Sequence, residues 1–382
     1  MRKRLLPLWL FYGLSLYGLS HDRVSLCCIS LCRMTLCRML LHGSPIYSLF
    51  LSCLCLGNLP LHAQRIEVLT HGPRTTSLRG LSVVNEGIIW VSGSNGTVGK
   101  SIDGGQNWDW MTVTGFEKRD FRDIEAFDEN TAVIMAVAEP ADILLTTDGG
   151  RIWKTVYEND TPGMFLDAME FWNVNSGIVI GDPVKGRFFV TRSFDGGKTW
   201  KDIPFPRLPL ADSGEACFAA SGTNVRSLDR GEACFVSGGM KSRLFIRDRV
   251  IDLPIVQGRE TTGANSVAIK DHDKLKGGLH LVVVGGDFAK DSSTYRNCAF
   301  TQDGGKTWIF PRTPPHGYRS CVEYLDKADV LACGLTGVDL SRDDCVDWQL
   351  ISTESFNVCR RAKKGQTVFL AGNNGKIGKL VL

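Results

Sequence analysis

From residue 65 onward the chain is a succession of short apolar runs, each broken by glycine, aspartate, asparagine or serine. Runs such as "SLRGLSVV" (77–84) and "GIIWVSG" (87–93) are strand-length and rich in β-branched and aromatic residues, and turn-forming residues bound them. No stretch in this region carries the three-to-four-residue periodicity of a long amphipathic helix, which argues against an α/β fold. The runs come in a fixed order. A short first strand is followed by a second ending near glycine, then a third running into a D-G-G turn, then a fourth that follows a tryptophan.

The turn is spelled almost identically four times: "SIDGGQNW" (101–108), "TTDGGRIW" (146–153), "SFDGGKTW" (193–200) and "TQDGGKTW" (301–308). The aspartates Asp103, Asp148 and Asp195 lie 45 and 47 residues apart, and Asp303 follows after a further 108, room for two units. D-G-G between strands is turn chemistry, because Asp bonds to amides just ahead of it and Gly accepts positive φ without steric cost. Trp108, Trp153, Trp200 and Trp308 then return as large apolar anchors between neighbouring sheets. These eight residues read as structural staples.

The unit between 200 and 300 lacks the octet; "EACFAAS" and "EACFVSGG" are read as its first two strands, and "RLFIRDRVIDLPI" as the remainder. A sixth unit keeps a decayed octet without glycines, "SRDDCVDW" (341–348), and the last stops after "KIGKLVL", one strand short. "RIEVLT" (65–70) precedes the first complete unit and is the donor of the missing strand. Pairing it with the C-terminal strand closes a ring and removes an exposed sheet edge. The expected fold is therefore all-β: a seven-bladed propeller of four-stranded antiparallel blades spanning 65–382, closed by its N-terminal strand.

Residues 1–64 differ from the rest. They hold six basic residues and one acidic, so the formal charge of +3 belongs to them and the body is close to neutral. That balance gives no electrostatic reason to expect nucleic-acid binding. "MRKR" followed by two apolar stretches, each too short to span a bilayer, with Ala63–Gln64 as the cut, reads as an export leader. Met34 or Met39 is an alternative start, and lipoprotein cleavage ahead of Cys53 or Cys55 is the less favoured variant. The expected destination is periplasmic or extracellular, with no membrane span left after cleavage. Six of the 13 cysteines fall in the leader, and the seven in the body show no zinc-type spacing, so neither metal nor cofactor is expected. Cys321 and Cys333 flank the turn "LDKAD" symmetrically; a disulfide is one reading and small buried thiols the other.

The S/T-x-D-G-G-x-T-W turns resemble the Asp-box, or BNR, repeats of sialidases and related propellers. Combined with the first strands "SLRGLSVV", "DFRDIEAF" (120–127) and "GYRSCVEY" (317–324), they resemble the photosystem II stability/assembly factor-like propellers across nearly all of 65–382. That resemblance implies an exported, non-enzymatic protein that binds another protein during assembly, with a basic patch near the channel from arginines at the third position of first strands. Arg79, Arg122 and Arg319 occupy that position, and Asp123 and Asp167 follow close by. Converging guanidiniums suit a carboxylate or phosphate; the adjacent aspartates offer internal ion pairing instead. The expected partner is a protein or peptide, with a glycan second. The rival class is a sialidase-like glycoside hydrolase using the same arginines with Tyr318 or Tyr324, Glu323, Asp123 and Asp167.

Overall fold

The computed structural model describes residues 64–381 apart from 272, 273 and 276. The leader expected over 1–64 lies outside them but for Gln64. Among the described residues, seven antiparallel sheets follow one another in chain order, and the only helical elements are short 3-10 turns. Blade 1 contains strands Leu78–Val83, Ile89–Gly93, Thr97–Ser101 and Asp109–Thr112. Blade 2 begins with Phe121–Ala126, blade 3 with Leu166–Phe171, blade 4 with Val225–Ser227, blade 5 with Thr262–Ile269, blade 6 with Cys321–Tyr324 and blade 7 with Val358–Arg361. The second and third strands of blades 1 and 2 are almost wholly buried, whereas their fourth strands have only exposed and half-buried positions.

The ring closes as its strand count requires. Arg65–His71 pairs antiparallel with Lys376–Val381, with Arg65 opposite Val381 and His71 opposite Lys376. One apolar cluster runs across this seam, joining Leu81 and Val91 of blade 1, Leu331 and Val338 of blade 6, and Phe369 and Ile377 of blade 7. Five further clusters fill the other blade junctions in order. Stability thus comes from packing between neighbouring sheets, as in other repeat arrays.

The octets form one turn repeated. The hydroxyl of Ser101, Thr146, Ser193 or Thr301 donates to the aspartate two residues on at 2.8–2.9 Å and accepts the amide of the second glycine at 2.9–3.0 Å. The aspartates in turn accept the amides of Asn107, Ile152, Thr199 and Thr307 at 2.9–3.0 Å. These bonds stabilise the ionised carboxylate, and the amide of Asn107 or Thr307 is the largest contributor in lowering Asp103 and Asp303 to a pKa of about 2. The sixth turn repeats the network with Ser341, Asp343 and Cys345, and holds Asp344 and Cys345 at φ 59° and 76° where the others have glycine. Each tryptophan packs into the junction with the preceding blade: Trp108 at the seam, then Trp153, Trp200, Trp308 and Trp348. Blade 4 has no octet, and Phe188 with the stacked pair Phe235 and Phe245 (4.4 Å) fills its junction instead.

Blade 4 departs from the expected strand assignment. Of "EACFAAS" only Glu215–Ala216 is strand, and with Gly238–Gly239 it extends the fifth sheet. The blade's true first strand is Val225–Ser227, paired with Ala233–Val236 from the second "EACF" copy. Duplicate letters misled the assignment; the first copy leads the chain into the channel.

Candidate functional site

First strands line the central channel, and their pairing with second strands aligns them residue by residue. A bulge falls at Arg79, Arg122, Asp167 and Asn265 in blades 1, 2, 3 and 5. Three residues further on, Ser82, Glu125, Glu170, Arg226, Ala268, Glu323 and Arg360 each face the second residue of their blade's second strand. Two levels of the channel are thereby defined, about 10 Å apart along each strand.

At the bulge level the structure brings together three of the five expected residues. Arg79 is half-buried and reaches the carbonyl of Ala220 at 3.4 Å. Burial and the neighbouring Arg122 lower its pKa. Arg122 pairs with Asp120 at 2.8 Å and lies over the Phe165 ring. Asp167 is buried, and burial followed by repulsion from Asp182 raises its pKa well above the carboxylate range despite Arg122. Asp123, one position past the bulge, is also buried; it accepts amides from Met169 at 2.8 Å and Ile124 at 2.9 Å. Burial nevertheless raises its pKa to about 8.

Arg319 does not join them. Blade 6 pairs Cys321 with Cys333 and Glu323 with Leu331, so Ser320 sits at the level of Arg122, and Arg319 matches the core residues Leu78 and Phe121. Its guanidinium is fully buried, ion-paired with Asp339 and bonded to the carbonyls of Tyr318 and His316. A one-residue phase difference moves a strand residue to the opposite face, and the third-position match overlooked it. Tyr318 is buried too and donates to Asn265 at 2.7 Å. Of the arginines that a sialidase-like site would draw on, Arg319 is thereby withdrawn, and Tyr318 reaches the bulge level only as a buried hydroxyl tied to Asn265, near Arg79.

Between the two levels, segment 219–223 is buried and projects into the channel. Ser221 donates to the Ser320 carbonyl of blade 6 at 2.7 Å, Arg360 of blade 7 donates to the Gly222 carbonyl at 3.1 Å, and Thr223 bonds Ser266 of blade 5 at 2.6 Å. Gly222, at φ +66°, lies against the Asp123 carboxyl so closely that a Cβ would stand 2.2 Å from its Oδ2. Only glycine fits.

Beyond this plug the channel widens into a cavity of about 510 Å³. Its wall carries the acid–base ring. Arg226 pairs with Glu323 at 2.7 Å and with Glu170 at 3.8 Å, while Lys363 pairs with Glu125 at 2.5 Å and bonds the Ala126 carbonyl at 2.8 Å. Burial raises the pKa of Glu125 and Glu323, and the charges of Lys363 and Arg226 oppose it. Burial works against the charge on Arg360, but Glu323, Asp123 and Glu170 hold it firmly protonated. Phe127, Phe171 and Trp172 supply an apolar side, and Val174, 60% exposed, stands at the rim. Except for Glu323, sequence reading named none of these ring residues. The signal existed as a glutamate next to last in three of the first strands, in "DIEAF", "DAMEF" and "CVEY".

All seven body cysteines are free and buried. Cys321 and Cys333 do oppose each other across antiparallel strands, and Cys359 of blade 7 joins them.

No protein-family model matches the chain, and no curated protein does. Among solved structures it is similar to one described as YCF48 bound to D1 peptide, at 17% identity and TM-score 0.59, covering 85% of this chain and 96% of that one. It is also similar to YCF48 from Cyanidioschyzon merolae, at 16% identity and TM-score 0.56, covering 82% and 98%. At such identities the likeness is one of fold.

Proposed function

We propose that this chain is an exported, non-catalytic propeller that binds a protein segment as an assembly or stability factor-like module, through the cavity at the octet end of its channel. The observation that carries this reading is the cavity itself. At about 510 Å³ it is in the range of small-ligand sites and suits a few side chains of an extended peptide. Its ring charges are matched within the wall, so the surface is preorganised, and its rim presents aromatic and aliphatic groups of the kind that anchor partners. A solved propeller of similar fold is described as bound to a peptide, which supports a peptide partner here. The carboxylates of Glu125, Glu170 and Glu323 are engaged by Lys363 and Arg226, and Asp123 and Asp167 are buried under raised pKa values, so none is poised as the second member of a glycosidase pair. Export rests on the leader over 1–64, and a mature N-terminus at Gln64 is the corresponding expectation.

The test is selection of binding peptides from a displayed random library against the purified chain, followed by calorimetry with variants. Val174→Asp at the rim is expected to weaken the selected peptide at least about tenfold, the loss of one desolvated contact worth about 1.4 kcal/mol. Val250→Asp on the outer strand of blade 4 should leave it unchanged. Equal binding by both variants overturns the proposal, as does turnover of fluorogenic sialosides that Glu323→Gln abolishes.

A further inference from the structure

Three thiols meet in the core at the junction of blades 6 and 7. Cys321 and Cys333 are direct cross-strand partners in blade 6, and Cys359 comes from the first strand of blade 7. All three are fully buried, with 0% exposure, and their sulfurs lie within 4.8 Å of one another, Cys321 to Cys359 at 3.6 Å. A metal bound by three thiolates at about 2.3 Å in a trigonal plane requires sulfurs about 4.0 Å apart, which these strands already approach. We propose that Cys321, Cys333 and Cys359 form a soft-metal site of the monovalent copper class.

The donor set decides the metal. Among the described residues no histidine or carboxylate completes the group, so the tetrahedral shell that structural zinc takes is not provided. The surroundings are the apolar residues of the seam, including Leu331, Val358 and Phe369, an environment that disfavours a hard fourth ligand. Three thiolates without hard donors favour monovalent copper. Binding releases one proton from each thiol and leaves the copper's oxidation state unchanged. Full burial means the ion enters as the two blades dock, so occupancy couples to the packing of blade 7 on blade 6.

The experiment uses the full chain, produced with monovalent copper supplied as a glutathione complex and purified without oxygen. The wild type is expected to retain one copper per chain against a chromophoric copper(I) chelator, and X-ray absorption should show three sulfur neighbours. Cys298→Ser, altering a buried thiol of blade 5, should retain the metal, whereas Cys333→Ser and Cys359→Ser should lose it. Near-ultraviolet circular dichroism of each metal-free variant establishes that the loss is not unfolding. Should Cys359→Ser unfold, Cys359→Ala and the sulfur count on the wild type carry the test. The proposal is overturned if the folded wild type holds no more copper than Cys359→Ser, if fewer than three sulfurs surround the ion, or if peptide mapping finds Cys321 in a disulfide with Cys333 or Cys359.

Discussion

Replacing Gly222 by alanine probes the plug and its contact with Asp123 together. The new methyl would stand 2.2 Å from one carboxyl oxygen of Asp123 and 2.3 Å from its Cγ, on a backbone held at φ +66°. The left-handed conformation alone costs an L-residue about 1–2 kcal/mol, and forcing a methyl into a filled interior adds roughly 1–3 kcal/mol. Gly163 is the control: φ is +83° and nothing lies within 4 Å of the position a methyl would take, so Gly163→Ala bears only the conformational part. Urea unfolding followed by tryptophan fluorescence should show Gly222→Ala less stable than the wild type by about 2–5 kcal/mol, and less stable than Gly163→Ala by roughly 1–3 kcal/mol. Equal losses in the two variants would refute the contact, and with it the picture of a channel closed by segment 219–223.

Three further outcomes follow from the same geometry. Asp123 has a folded pKa of about 8 against an ordinary value of 3.8, so its favourable contribution is complete below pH 4 and is lost as pH rises through 8. Asp123→Asn should therefore flatten the fall in stability over that window, by at most about 1.4 kcal/mol per pH unit, and parallel profiles for the two proteins would count against it. Asp103 and Asp303 run the other way: their pKa values of about 2 confer stability above the ordinary carboxylate range that is lost as pH falls toward 2. The double variant Asp103→Asn, Asp303→Asn should lose less than the wild type on acidification, read by circular dichroism between pH 4 and 2. Trp348, 2% exposed in the junction of blades 5 and 6, should cost about 3–5 kcal/mol on replacement by alanine, measured by urea unfolding.

What was legible in the sequence was whatever local chemistry repeats. The D-G-G turns announced themselves because each must satisfy the same amides, and the strand missing from the last unit pointed to 65–70 as its donor. Blade 4 was harder, since aromatic packing by Phe188, Phe235 and Phe245 replaces its tryptophan and leaves no shared letters to align. The site suffered from a subtler ambiguity. Arg319 shares a place in the string with Arg79 and Arg122, yet the phase of a strand is set by its partner, and Cys333 opposite Cys321 turns that arginine into the core. Bulges shift phase without marking the sequence. The plug was invisible for a different reason: Gly222 is an ordinary loop glycine until the strands surrounding it are in place.

The most direct measurement is hydrogen exchange of the full chain with and without a selected peptide. Peptide binding in the cavity should slow exchange at 81–84, 125–127, 170–174, 323–324 and 360–364, the segments around it, and leave Arg79 and Arg122 unchanged. Protection confined to that opposite level, or to the outer strands of the blades, would contradict it.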